Sequence, residues 1–238
     1  MYMEGYVTEI IKVAELSETT LSDMSRIYLA HYDSCDEERF RNDLTVKTEA
    51  LLVYQQQELV GFTLYALYRE TWQESPVRII YSGDTVVDHA HWGQQALAFS
   101  WLSRAGQIKR FEPEIPLYWF LIVKGHRTYR YLPTFSRVFH PHWSKPSIAL
   151  KILADQLAKK KFGTDYDPGS GVVAFKRSRG HLNEAYAHPT SKEVSKEAVQ
   201  FFLQRNPGYL RGEELVCLCE LHKENLRPLA QRLFIGTR

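Results

Sequence analysis

The stretch "IPLYWFLIV", Ile115 to Val123, is apolar at almost every position. Side chains on a strand alternate between two faces, so a run like this fits a strand covered on both sides. That places helices above and below a sheet. The chain has material for such a core: 238 residues, 44% of them hydrophobic, which excludes a disordered chain and suits one large domain or one domain with an appendage.

The rest of the pattern fits the same frame. "TEIIKVAEL" reads as a first strand, and "SETTLSDMSRIYLAHY" has a Ser/Thr-rich start and a helical period through Leu21, Met24, Ile27 and Tyr28. "DEERFRNDLTVKT" follows as a more polar helix or turn, and Ala50–Tyr54 with Leu59–Tyr68 as a hairpin. Arg78–Val87 is a further strand, "GQQALAFSWLSRAGQIKR" an amphipathic helix, and "RTYRYLPTFSRVF" a helical stretch interrupted by Pro133. "SKPSIALKILADQLAKKKFG" is a helix closed by Gly163. Strands are expected at Val172–Phe175 and Glu214–Leu221, with helices in "SKEVSKEAVQFFLQRNPGY" and "KENLRPLAQRLF". The expectation is an α/β fold: a mixed central sheet flanked by helices on both faces, in a single domain over 1–238. Residues 163–209 form a helical elaboration near the C-terminus, between the last two strands.

Net charge is +2 with a pI near 8.3, too little excess for a nucleic-acid binder. Basic residues gather in "KGHRTYR" and "KKK", which fits one anionic ligand better than a long polyanion. Three cysteines, Cys35, Cys217 and Cys219, and no signal peptide point to a reducing cytoplasm. Cys217 and Cys219 in "ELVCLCEL" share one strand face, as packing residues do. No apolar run is long enough for a membrane span.

The chemistry concentrates where one strand hands over to a helix, in "IIYSGDTVVDHAHWGQQALAF". The first amides of a helix lack internal partners and form an anion site with the helix dipole. Gly93 lets a phosphate approach the backbone closely. A structural corner has the same appearance.

The succession of hairpin, strand, turn, long helix, apolar strand and further helix resembles the GNAT superfamily of acyl-CoA-dependent N-acyltransferases, from about Thr8 to Phe139. Against the family's Q/R-x-x-G-x-G/A turn, Val86 and Val87 match the strand end and Gly93 the first glycine of an R-G-x-G version. Trp92 replaces the usual Arg or Gln, Gln95 the second glycine and Leu97 the last small residue. The resemblance implies a pyrophosphate on the amides of Trp92, Gly93, Gln94, Gln95 and Ala96. It also implies a pantetheine arm paired with the carbonyls and amides of Val86 and Val87, where the strand splays from its neighbour. Both acyl-CoA and an acyl carrier protein remain open as donor. Lys124, Arg127 and Arg130 would then surround the mouth and meet phosphates or a carrier's acidic helix.

Amine acylation needs a proton acceptor for the amine, a polarised carbonyl and a proton for the departing thiolate. Asp84, where the strand would open, is the expected acceptor or ammonium holder, and it is equally a turn-capping residue. Tyr131 lies nearest the family's thiolate-protonating tyrosine, with Tyr129 beside it. His126 is a second base candidate, because its ordinary pKa suits neutral pH. "LYALYRETW", "ALAFSWL" and "LYWFLIV" offer more apolar surface than an acetyl group needs, and the layout is similar to enzymes that attach fatty acyl groups to amino side chains of peptides. The expected donor is therefore medium- or long-chain, and the acceptor an amine-bearing small molecule or peptide, such as a lysine or ornithine side chain.

Two other readings stand beside this one. His89 with His91 and His140 with His142 have the H-x-H spacing of a metal hydrolase, but no H-E-x-x-H completes it, and no metal is expected. A GNAT-shaped module that binds an acyl ligand without turnover is the non-enzyme alternative.

Overall fold

The computed structural model describes residues 5–177 and 179–236. The apolar run forms β5, Leu117–Val123, and it lies inside an eight-stranded mixed sheet. The other strands are β1 (Tyr6–Lys12), β2 (Glu49–Gln55), β3 (Glu58–Trp72), β4 (Ser75–Val87), β6 (Tyr166–Asp167), β7 (Val172–Val173) and β8 (Glu214–Glu220). Their order is β1-β2-β3-β4-β5-β8-β7-β6, with every pair antiparallel except β4 and β5.

Leu117, Trp119, Leu121 and Val123 of β5 pack towards α3 (Ala96–Phe111) and α6 (Pro228–Ile235). Tyr118 and Phe120 turn the other way, into a second cluster with α4 (Ile148–Phe162). On that second face α1 (Glu18–His31) and α2 (Glu37–Leu44) cover the β2–β3 half of the sheet. Burial of a large apolar side chain is worth about 1.5–3 kcal/mol, so the two-sided strand is the centre of the core. Cys217 and Cys219 share the α3 face of β8 as packing residues.

Helix ends follow their local chemistry. Ser17 caps α1 through Thr20 N, and Ser147 caps α4 through Leu150 N. α4 stops at Gly163, whose φ of 56° suits glycine. The buried Arg78 guanidinium donates to the carbonyls of Ile108 and Glu112 at 2.8 and 2.7 Å. It thereby ties the last turn of α3 to the start of β4.

Some expectations shift. The hairpin strands run longer than the sequence pattern, because the β3–β4 pairing continues to Trp72↔Ser75. The strand expected at Val172–Phe175 ends at Val173: only Val172 and Val173 pair with β6 and β8, and Ala174 adds one last bond in the same register, to Asp165 O. The helical stretch at 126–135 breaks at Arg130 rather than Pro133. It gives two short helices, His126–Tyr129 and Tyr131–Phe135, and the proline sits in the first turn of the second. Between β7 and β8 the chain adds a short strand, His181–Leu182, that pairs with Tyr32–Asp33. The short helices Glu184–Ala187 and Ser191–Val194 and the longer α5 (Glu197–Arg205) follow it. Among the described residues no helix is long and apolar enough to cross a membrane.

Candidate active site at the strand split

β4 and β5 pair from Arg78↔Leu117 to Ser82↔Leu121 and then separate. The cause lies on the other side of β4. Phe62 pairs Val86 and Leu64 pairs Gly83, so Asp84 and Thr85 stand against the single residue Thr63. Such a bulge bends its strand and strengthens its twist, here away from β5. Asp84 is the bulged residue, at φ 56°, a region that aspartate tolerates better than most side chains.

The opening leads into a cavity of about 650 Å³, within the range of small-molecule sites. Asp84, Glu214, Tyr32 and Lys124 line one end. Leu97, Trp101, Trp119, Phe135, Leu229 and Ala230 line the other, between α3, β5, the Tyr131–Phe135 helix and α6. "ALAFSWL" and "LYWFLIV" therefore do contribute to the wall. "LYALYRETW" does not, because its residues belong to the long β3–β4 hairpin outside the cavity.

Asp84 is not a free carboxylate. Lys47 Nζ donates to its Oδ2 at 2.7 Å, and the Lys47 side chain is only 4% exposed. Burial alone would raise the Asp84 pKa, but Lys47, with Lys124 and Arg179 nearby, outweighs it and holds the group below the usual carboxylate range. It is a fixed negative charge and a poor proton acceptor. Glu214, which sequence reasoning missed, is 6% exposed and lines the same end of the cavity. Burial raises its pKa, Lys124 lowers it and Asp84 raises it, with a net upward shift. The one available signal was a carboxylate heading the apolar run in "ELVCLC".

Tyr131 lines the cavity and stacks on Phe135 at 5.3 Å between ring centroids, and burial raises its hydroxyl pKa. Tyr129 does not compete with it, since its hydroxyl donates to Pro141 O at 2.7 Å in the core. His126 is fully buried and lies outside the cavity wall, with Nε2 3.4 Å from Glu193 Oε1. Burial, then the Arg127 charge, lower its pKa to about 4. His126 thus does not itself line the cavity, although the Glu193 carboxylate beside it does.

Of the residues expected to hold the donor, Val86, Val87, Trp92, Gly93, Gln94 and Gln95 are on the cavity wall, with Ala96 just behind in the core. Gly93 has φ 96°, and a Cβ there would meet nothing within 4 Å. The ladder of α3 begins with Phe99 N on Gln95 O, so the amides of Ala96, Leu97 and Ala98 head the helix. Three of the expected donor contacts are used internally: the Trp92 amide donates to His89 O at 3.2 Å, the Gln94 amide to His91 O at 3.3 Å, and Val87 O accepts from a side chain of the turn. Trp92 Nε1 donates to Val87 O at 2.8 Å, and Gln94 Oε1 accepts from Leu97 N at 3.2 Å.

The basic residues of the mouth are paired as well. Glu193 sits 3.5 Å from both Arg127 Nη2 and Arg130 Nη1, and Arg127 Nη1 donates to Tyr186 O at 2.5 Å. Burial would raise the Glu193 pKa, but the Thr190 amide and hydroxyl together with Arg127 bring it down to about 2. Lys124 Nζ donates to Arg179 O at 2.9 Å and lies 3.6 Å from Glu214 Oε1. The segment between β7 and β8 thus contributes Leu182, Tyr186 and Glu193 to the cavity wall.

The histidine pairs diverge. His91 Nδ1 meets Tyr6 Oη at 3.0 Å, while His89 faces Asp88 and Tyr186. His140 is buried, and His142 Nδ1 accepts from the amides of Ser144 and Lys145. Among the described residues no group of three or more His, Cys, Asp or Glu is arranged to hold a metal ion.

No family model matches the chain, and no curated protein matches it. Solved structures do. A conserved Enterococcus faecalis V583 protein described as a probable N-acyltransferase is 11% identical at a TM-score of 0.41, over 56% of this chain and 33% of its own. A GCN5-related N-acetyltransferase from Kribbella flavida is 18% identical at 0.38, over 56% and 33%. A GNAT-family N-acetyltransferase from Escherichia coli, solved with CoA, is 9% identical at 0.40, over 55% and 68%. The chain spans a third of the length of the first two. Scores this low carry no statement about its chemistry. Its own strand order and its split after Ser82 make the fold GNAT-like.

Proposed function

We propose that the chain is an acyl-CoA-dependent N-acyltransferase, one unit over 1–238 with residues 163–209 as its elaboration. The observation that carries this reading is the bulge at Asp84. It parts β4 from β5 and connects a charged basin to an apolar cavity. The two ends suit two reactants: an amine at Asp84 and Glu214, and an acyl thioester along Val87 with its chain between Trp101, Trp119 and Phe135. Held together there, the amine nitrogen and the thioester carbonyl need mainly orientation to react.

The site fits the pantetheine and acyl parts of a donor. The Val87 amide lies at the split, the head of α3 opens beside Gly93, and one end of the cavity is apolar. Trp92 and Gln94 already bond within the turn, and Glu193 pairs with Arg127 and Arg130, cations that phosphates would otherwise meet. This favours a donor held mainly through its pantetheine arm and chain, whether on coenzyme A or on a carrier protein. Each buried methylene adds about 0.8 kcal/mol, so a medium or long chain outcompetes acetyl. The proposed acceptor is an amine on a small molecule or on a peptide side chain, such as lysine or ornithine.

Thiol release from acyl-CoAs of graded length, with a panel of amines, tests the reading. The expected result is kcat/KM rising roughly 15-fold per added pair of buried methylenes. Equal turnover of acetyl- and palmitoyl-CoA would remove the long-chain reading, and donor binding without thiol release would leave a binding module.

Two variants localise the parts. Gly93→Asp and Gly93→Asn carry side chains of one size, both tolerant of a left-handed backbone, and differ in charge. Asp is expected to weaken acyl-CoA binding at least tenfold at low salt, Asn only a few-fold, as read by Trp fluorescence titration. Equal losses would place the donor's phosphates elsewhere. Tyr131→Phe is expected to lower kcat roughly tenfold or more, since general acid catalysis contributes about 10²–10⁴-fold, with donor affinity unchanged. A change in donor affinity alone would make Tyr131 a wall residue.

A further inference from the structure

Three candidates for the amine's proton present themselves, and the structure separates them. His126 is sealed behind Glu193, outside the cavity. Asp84 reaches the cavity but is held by Lys47 at hydrogen-bond distance. Glu214 reaches the same end of the cavity from β8, on the far side of β5 from β4. Its ion pair with Lys124 is 3.6 Å long, beyond hydrogen-bond range, while that ammonium donates to the Arg179 carbonyl at 2.9 Å. A carboxylate in this position has its lone pairs available to an incoming ammonium.

Building on the acyltransferase reading, we propose that Glu214 is the catalytic residue that takes the proton from the acceptor amine, with Asp84 as the fixed charge that draws the ammonium in. In the forward step a proton moves from the ammonium to a Glu214 oxygen. The freed nitrogen lone pair forms the N–C bond at the thioester carbonyl. The C–S bond then breaks, its electron pair leaves on sulfur, and the thiolate takes a proton from Tyr131. The second amine proton is lost to solvent as the amide forms, and Tyr131 is reprotonated from solvent. Glu214 returns its proton through the mouth, so the net products are amide, thiol and one proton.

The charged and titratable groups around Glu214 set its state. Lys124 follows β5, Asp84 belongs to β4, Lys47 precedes β2, and Arg179 comes from the segment between β7 and β8. Tyr28 and Tyr32 at the end of α1, and Tyr81 on β4, complete the surroundings, and burial keeps all three hydroxyls protonated. The low-dielectric setting and the Asp84 charge make Glu214 more basic, while Lys124 works against them.

The experiment uses the full chain, an acyl-CoA and an amine that turns over, and compares the wild type with Glu214→Gln and Glu214→Ala. The expected wild-type kcat/KM is flat between the Glu214 pKa and that of the amine, because the enzyme uses the protonated amine. Glu214→Gln is expected to bind donor within threefold of wild type and to lose about 10²-fold or more of kcat/KM at pH 7. It uses only free amine, so the deficit shrinks about tenfold per pH unit up to the amine's pKa. Formate is expected to restore part of the turnover of Glu214→Ala and none of Glu214→Gln. A structural role would give neither the slope nor the rescue. Turnover within threefold of wild type, or a parallel pH profile, would overturn the assignment and leave the acyltransferase reading intact. A wild-type chain that acylates no amine would overturn both.

Discussion

Gly106→Ala is expected to cost about 3 kcal/mol of stability and to lower the melting temperature by roughly 6–12 °C. A Cβ at this position in α3 would fall inside the contact radius of the Phe234 carbonyl oxygen of α6. The same carbonyl accepts from Arg110 Nη1 at 2.8 Å, and Ile235 O from the same nitrogen at 3.1 Å, so two backbones are drawn together at a fixed spacing. Alanine gains about 1 kcal/mol in helix propensity over glycine. That gain cannot offset a clash with a main-chain atom, which no rotamer relieves. α6 also carries Leu229 and Ala230 into the cavity wall, so the proposed preference for long over short acyl chains should weaken in parallel. A thermal melt followed by circular dichroism checks the first effect, and a melt within 2 °C of wild type would show that the α3–α6 contact yields.

Asp84→Asn is the second large effect. Asparagine tolerates φ 56° as aspartate does, so the bulge keeps its shape and only the charge is lost. The Lys47 ammonium then lies buried without its counter-ion, and breaking such a pair from one side costs about 3–5 kcal/mol. Its pH dependence has a definite sign. The folded-state pKa of Asp84 is below its unfolded value, so its contribution is present above about pH 4. It is lost as pH falls through the lowered folded-state value. Urea melts should show wild type and variant furthest apart at pH 7 and converging in acid. A constant gap down to pH 2 would mean that the carboxylate is not what the variant removed. Turnover should also fall, without the recovery at high pH expected of Glu214→Gln.

Much of this was legible in the residues. β5 reads as a two-sided strand because seven consecutive large apolar residues leave no wet face. α4 reads from Ser147 to Gly163 because both ends carry their capping chemistry. What stayed hidden depends on contacts between distant segments. Asp84 marks the split in the sequence, but nothing there shows that Lys47, 37 residues earlier, has already claimed its charge. Arg127 and Arg130 read as free cations until Glu193 closes on them from another segment. Glu214 looks like the polar edge of a strand, and only sheet order brings it to the cavity. Strand length failed for a similar reason, since "VVAF" is apolar enough for four residues while its distant partners, Tyr166–Asp167 and the first two residues of β8, pair with only two of them.

The contact between α3 and α6 also bears on how the protein is made. Arg110 and Phe234 are 124 residues apart. At ~5–20 residues per second of synthesis, roughly 6–25 s pass between the emergence of one partner and the other. During that interval the nascent chain already has Trp101, Trp119 and Phe135 available to pack, but not Leu229 and Ala230 to close over them. The pocket is thus an open apolar groove before it is a closed one. A chain stalled or cut before residue 228 would present that groove to chaperones and to other nascent chains, so loss of α6 should be seen first as aggregation in the cell rather than as altered kinetics.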